Sequence, residues 1–193
     1  MKKLLFIDAC IRKEDSRTRA LAAPVIKRLK ERYEVETISL CDADIAPVTA
    51  SRYTERAQNG PSPEDAYHAG LFASSDRVVI AAPFWDMSFP SVLKVFFERI
   101  SLPDFTFVNT PDGSTRGNCK AEKLLYITTR GLDIPTGDAR DQGTSYLKAL
   151  GWLWGIPEIL TVAAWGTDVT DDDTRARRLA DALSGGLLIC EDF

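Results

Sequence analysis

The amino-acid sequence predicts an α/β fold, a parallel sheet covered by helices on both faces. Five short apolar runs recur along the 193 residues, helical patterns separate them, and the third run is apolar without interruption. Strands separated by helices pair in parallel through right-handed crossovers, and a strand covered on both faces needs no polar alternation.

Taken in order, "KLLFIDA" (3–9) is the first strand, and residues 17–32 follow as a helix with Leu21, Val25, Ile26 and Leu29 on one face. "VETISL" (35–40) alternates as a strand does. Residues 41–62, with proline, Asp, Ser and Asn-Gly, read as a long irregular connection. Ser62-Pro63-Glu64-Asp65 supplies a cap, a proline at the first helical position and acids in the first turn, opening a helix to Ser74. "RVVIAAP" (77–83) is the third strand, and Ser88-Phe89-Pro90 begins a helix to Ile100. Residues 105–117 form a turn-rich excursion around Pro-Asp-Gly. "KLLYITT" (123–129) is the fourth strand, residues 143–154 a helix rich in Leu and Trp, "EILTVAAW" (158–165) the fifth strand, and residues 171–185 a final helix with acids at its start. No repeat or linker interrupts this alternation, so a single domain over 1–193 is expected.

Composition excludes several classes. The net charge of −4 is spread without long runs of one sign, which does not favour nucleic acid or an anionic membrane surface as a partner. Leu4 to Ile7 is too short for a secretory apolar region before Asp8 interrupts it. Cys10, Cys41, Cys119 and Cys190 lie far apart with no CxxC spacing, so a reduced, cytoplasmic protein without disulfides or zinc is expected.

In sheets of this kind ligands bind beyond the carboxyl ends of the strands, near the switch in strand order. That singles out the loops after strands one, three and four. The first, "DACIRKEDSRTRAL" (8–21), has no glycine and therefore neither a dinucleotide fingerprint nor a Walker A loop. Ser16, Arg17 and Thr18 stand at a helix start, where hydroxyls, a guanidinium and free N–H groups converge as a phosphate requires; Ser16 or Thr18 could equally serve only as a cap. The third-strand loop puts Phe84, Trp85, Met87 and Phe89 where the chain leaves the sheet, which suits a flat aromatic ligand or a contact with a subunit or neighbouring loop. The fourth-strand loop offers Thr128, Thr129, Arg130 and Gly131, where glycine permits close approach and the polar groups could reach ring carbonyls, or it is an ordinary solvated loop. A phosphate end at the first loop and a flat-ring end at the other two together describe FMN.

The residues also carry a resemblance. Over nearly its whole length, and most strongly in "VVIAAPFWDMSFPSVLKVFFERI", "FTFVNTPDGSTRG", "CKAEKLLYITTRG" and "GWLWGIP", the chain resembles the flavodoxin-like FMN-dependent NADH:quinone oxidoreductases and azoreductases. The resemblance implies a three-layer sandwich with strand order 2-1-3-4-5. It implies that Cys10, Ser16, Arg17 and Thr18 hold the phosphate, and that Phe84-Trp85-Asp86-Met87 takes the place of the family's Met-Tyr-Asn-Phe beside the ring. Thr129-Arg130-Gly131-Leu132 takes the place of its Ser-Arg-Gly-Gly. Cys10, Asp86, Asn109 and Leu132 depart from the family pattern; as a carboxylate, Asp86 could accept the ring N3–H and disfavour an anionic reduced flavin. By the same resemblance, FMN would take hydride from NADH or NADPH and pass two electrons to a quinone, azo or nitroaromatic compound, in a homodimer with sites at its interface. An electron carrier and a flavin-free binding domain are the alternatives on this fold. The sole histidine, His68, falls on a helix next to the long 41–62 connection, and surface or packing duty, not proton donation, is expected for it. Cys10 is expected to be a structural thiol.

Overall fold

A computed structural model describes residues 1–43 and 45–193. The elements run β1 (Lys2–Asp8), α1 (Arg17–Leu29), β2 (Tyr33–Ser39), α2 (Ala50–Asn59), α3 (Pro63–Ser74), β3 (Arg77–Ala81) and α4 (Ser91–Ile100). They continue through β4 (Phe107–Asn109), β5 (Thr115–Gly117), β6 (Lys123–Thr129), α5 (Gln142–Trp154), β7 (Glu158–Ala164) and α6 (Asp172–Asp192). Five strands form one parallel sheet in the order β2-β1-β3-β6-β7, the order expected of the five apolar runs. No described helix is long and apolar enough to cross a membrane.

Successive side chains of a strand point to opposite faces, and here they sort the core in two. Leu5, Ile7, Val78, Ile80, Leu124 and Tyr126 meet Phe72 of α3, Phe96 and Phe97 of α4, and Leu147 and Trp154 of α5. Leu4, Val79, Ala81, Leu125 and Ile127 meet Leu21, Val25, Ile26 and Leu29 of α1, the face read from the helical period, together with Cys190 of α6. The aromatic residues concentrate on the first side, where Trp154 lies edge-on to Phe72 and Phe97 at centroid distances of 4.7 and 5.3 Å.

Two expectations are corrected and one is sharpened. Residues 41–62 are not irregular throughout: α2 forms there, capped by Thr49, whose side chain accepts from the Arg52 N–H, and Gly60 at φ 82° follows its last residue. No residue of α2 is buried, so no apolar stripe announced it, and Asn59-Gly60 marks a helix end. The 105–117 excursion is a hairpin of β4 and β5, with Pro-Asp-Gly at its tip. Finally, α6 runs past Gly185 and Gly186 to Asp192. A Cβ at Gly186 would stand 3.0 Å from Val25 Cγ2, so the glycine there serves close approach of α6 to α1 and does not end the helix. The cap at Ser62 is as expected, its Oγ accepting from the Asp65 N–H at 3.1 Å. His68 lies on α3 with its ring 5.8 Å from that of Phe96.

Parallel pairing puts the carboxyl ends of β1, β3, β6 and β7 along one edge of the sheet, with Asp8 beside Ala81 and Ala81 beside Ile127. The loops leaving that edge build the site.

Candidate functional site

Beyond β1 the chain makes a short 3-10 turn over Lys13–Asp15 and enters α1 at Ser16. Ser16 caps the helix, its Oγ accepting from the Arg19 N–H at 3.3 Å. First-turn N–H groups have no intrahelical partner, so those of Arg17 and Thr18 remain donors at the positive end of α1. The Thr18 side chain does not join them: it is buried, its hydroxyl 2.6 Å from that of Thr129, and it accepts from the Thr129 N–H at 3.2 Å. Cys10 is fully buried, with its Sγ donating to the Ala81 carbonyl at 3.6 Å. Burial, then the nearby Asp8 carboxylate, pushes its thiol far above the ordinary value, so it stays neutral and structural. The Cys10 and Thr18 side chains thus tie β1 and α1 to β3 and β6, and Thr18 also lines the cleft at this turn. Ser16 and Arg17 remain at the surface of the turn's cleft.

The loop after β3 is a tight reversal. Trp85 and Ser88 exchange both backbone hydrogen bonds, at 3.2 and 2.8 Å, across Asp86 and Met87, whose φ angles are 47° and 64°. Two successive left-handed residues make the turn that suits tight hairpins and is normally filled by Asn and Gly; Met in this region is strained. The result turns Trp85 and Met87 outward, 42% and 40% exposed, beside an exposed Asp86. Phe89 behaves otherwise. It is buried against Phe97 and Tyr146, both at 5.7 Å, so its expected exposure is corrected: it anchors the loop.

The loop after β6 holds the largest departure from expectation. Arg130 is fully buried, and its guanidinium forms an ion pair with Asp141 at 2.9 Å, donates to the Ile134 carbonyl at 3.0 Å and lies 5.1 Å from the centre of the Phe84 ring. Its guanidinium is not among the groups that line the crevice, and only its Nε is left without a partner. Instead it braces the loops from behind: Asp141 caps α5 by accepting from the Thr144 N–H, Gln142 N–H donates to the Met87 carbonyl, and Phe84 N–H donates to the Thr129 carbonyl. Gly131 and Leu132 stay at the surface, Leu132 being 48% exposed.

These loops enclose a crevice of ≈ 90 Å³ whose walls include Ser16, Arg17, Phe84, Trp85, Thr129 and Gly131. Arg12, Thr167 and Asp168 also line it and were not singled out in the sequence. Arg17 donates to Asp168 at 2.5 Å and to Thr167 Oγ1 at 3.3 Å. The signal for Asp168 was the loop after the fifth strand, which adjoins the fourth; "GTDVTDDD" reads only as the start of a helix. The crevice thus carries anion-binding donors, aromatic side chains and a glycine at which a Cβ would collide with the Asp168 carboxylate. That donor set fits a phosphorylated flat ring.

The chain belongs to the family of the flavodoxin-like fold, whose model matches residues 2–184. Its relatives are oxidoreductases. It is 30% identical over 182 residues to the FMN-dependent NADH:quinone oxidoreductase 2 of Clostridium acetobutylicum, covering 90% of each chain. It is also 30% identical over 187 residues to FMN-dependent NADH:quinone oxidoreductase 1 of Xanthomonas euvesicatoria, covering 95% of this chain and 94% of that one. Among solved structures, an azoreductase from Bacillus anthracis superposes with a TM-score of 0.86 at 20% identity, over the full length of both chains. Another B. anthracis protein, an FMN-dependent NADH-azoreductase in complex with FMN, does so with a TM-score of 0.81 at 22% identity, covering 98% of this chain and all of that one.

Proposed function

We propose that this protein is an FMN-dependent NADH:quinone oxidoreductase. The observation that carries the reading is the convergence on one crevice of the α1 N-terminus with Ser16 and Arg17, the Phe84–Trp85 wall and Gly131. Its relatives of 30% identity bear that activity in their names.

FMN, when bound, supplies acceptance of hydride from the reduced nicotinamide and delivery of two electrons to the acceptor. The residues of this chain do the rest. Ser16, Arg17 and the first-turn N–H groups hold the phosphate, since a helix N-terminus combines free donors with a favourable dipole. Phe84 and Trp85 give the ring an apolar wall, and Gly131 lets backbone come close to it. The Arg130–Asp141 pair fixes the two loops so that their geometry precedes binding. Flat acceptors, quinones first and azo or nitroaromatic compounds next, suit a site walled by Phe84 and Trp85. NADH is the donor favoured by the relatives' names. The exposed Trp85, Met87 and Trp152 suit a homodimer in which a second copy completes the ring site.

The test is the absorbance spectrum of purified protein before and after anaerobic NADH. A yellow protein that bleaches supports the proposal. A yellow protein that NADH alone does not reduce points to an electron carrier, and a colourless one that takes up no FMN removes the flavin altogether. Size-exclusion chromatography with light scattering tests the dimer; a monomer at micromolar concentration overturns that part.

A further inference from the structure

We propose that Asp168 is a specificity-determining residue of the crevice, a built-in anion that occupies Arg17 in place of a phosphate monoester and so sets how tightly phosphorylated flavin is held. The inference rests on the flavin reading above and concerns one residue that reading leaves unused.

Its basis is an acidic group where an anion is to be received. Arg17 enters from the turn after β1 and Asp168 from the loop after β7, and their side chains meet across the crevice at 2.5 Å. The backbone behind the carboxylate is fixed: the Asp168 N–H donates to the Gly131 carbonyl at 3.0 Å, the Thr167 N–H to the Arg130 carbonyl at 3.0 Å, and the Thr167 hydroxyl to that same carbonyl at 3.0 Å. The carboxylate itself is held by nothing but Arg17 among the described residues. It lies over Gly131, where a Cβ would strike it, on the wall of the crevice.

Two physical arguments give this arrangement its consequence. The side chains of Arg17 and Asp168 are 39% and 62% exposed, and an ion pair that open to solvent is weak. A phosphate, with more charge and more acceptor oxygens, makes the stronger charge-assisted bonds to a guanidinium, so it displaces the carboxylate. The displaced carboxylate stays on its pinned backbone, close enough to repel the incoming dianion. Phosphate binding is therefore opposed twice, by competition for Arg17 and by like charge. Riboflavin, which has no phosphate, meets neither opposition.

The experiment is a fluorescence titration of flavin-depleted protein with FMN and with riboflavin, comparing wild type with Asp168→Asn. The expected result is FMN affinity raised on the order of threefold to tenfold in the variant, with riboflavin affinity within about twofold of wild type. A second readout uses inorganic phosphate alone: it should raise the melting temperature of Asp168→Asn more than that of wild type. Asp168→Ser is the alternative if the amide variant folds poorly. Unchanged FMN affinity in the variant overturns the proposal, as does a loss of affinity for both flavins, which would make Asp168 a direct ligand of the shared ribityl chain. Wild-type protein that binds no FMN overturns the flavin reading itself, so the two failures are told apart.

Discussion

At the scale of single residues, Thr18 at the start of α1 and Arg130 and Asp141 in the loop after β6 are polar groups enclosed by the fold. Arg130 pairs with a carboxylate eleven positions along the chain, a contact no local pattern encodes. Removing one member of such a pair strands a charge in the interior, at a cost of about 3–5 kcal/mol. Asp141→Asn should lower stability by that order in urea unfolding, and Arg130→Met combined with Asp141→Leu should cost less than Asp141→Asn alone. Ser16, Arg17, Trp85 and Gly131 were legible because their chemistry shows in the residue type and in their place after a strand. Asp86 stands exposed on the same turn as Trp85, outside the crevice lining; were flavin bound beside it, its carboxylate would disfavour negative charge on the reduced ring. Asp86→Asn should therefore raise the flavin midpoint potential, and a redox titration giving an unchanged or lower value rejects this.

At the scale of elements, strands and amphipathic helices were readable because burial stamps a period on them. α2 buries nothing and left no such stamp, and the two short strands β4 and β5 lacked the length to show alternation. What seats that hairpin is a backbone contact. A Cβ at Gly117 would fall on the backbone of Trp154 and Gly155, where α5 ends with Gly155 at φ 77°. Backbone cannot swing aside as a side chain can. Gly117→Ala should thus lift the hairpin from α5 and destabilise by about 2–4 kcal/mol, measurable as a lower urea midpoint, whereas Gly113→Ala, at the open tip, meets no atom and suffers only from its φ of 81°. Both substitutions leave the crevice residues untouched, so flavin binding by the folded fraction should persist.

For the whole molecule, the parallel sheet was legible from the alternation of runs alone, while the loop after β7 entered the site only through three-dimensional adjacency. Stability as a function of pH is a property of the whole chain. Glu64 is held below the usual carboxylate range by a hydrogen bond from Arg99, Asp76 by one from Lys120, and Asp112, lowered to about 2, by the Thr110 hydroxyl. Depressed carboxyl groups contribute above their unfolded values of 3.8 to 4.5, and that contribution is lost as pH falls toward 2. Cys119, raised by burial from 9.0 to about 12, acts in the opposite sense. It contributes fully below pH 9, and the contribution is lost as pH rises toward 12, because the unfolded thiol ionises first. Thermal unfolding across pH should show a plateau between these limits and a decline on both sides; a melting temperature still rising above pH 9 would contradict it.

The uneven distribution of aromatic side chains has an optical consequence. Of the four tryptophans, Trp154 is sealed among phenylalanines on one face of the sheet, while Trp85, Trp152 and Trp165 meet solvent. Emission from this protein is therefore a mixture of one blue, shielded fluorophore and three red, quenchable ones. Acrylamide should silence the second group and leave Trp154 to report loss of the aromatic face. Trp85, lining the crevice, should be the tryptophan most strongly quenched when an absorbing ligand arrives, so comparison with a Trp85→Phe variant shows how much of the occupancy signal it carries.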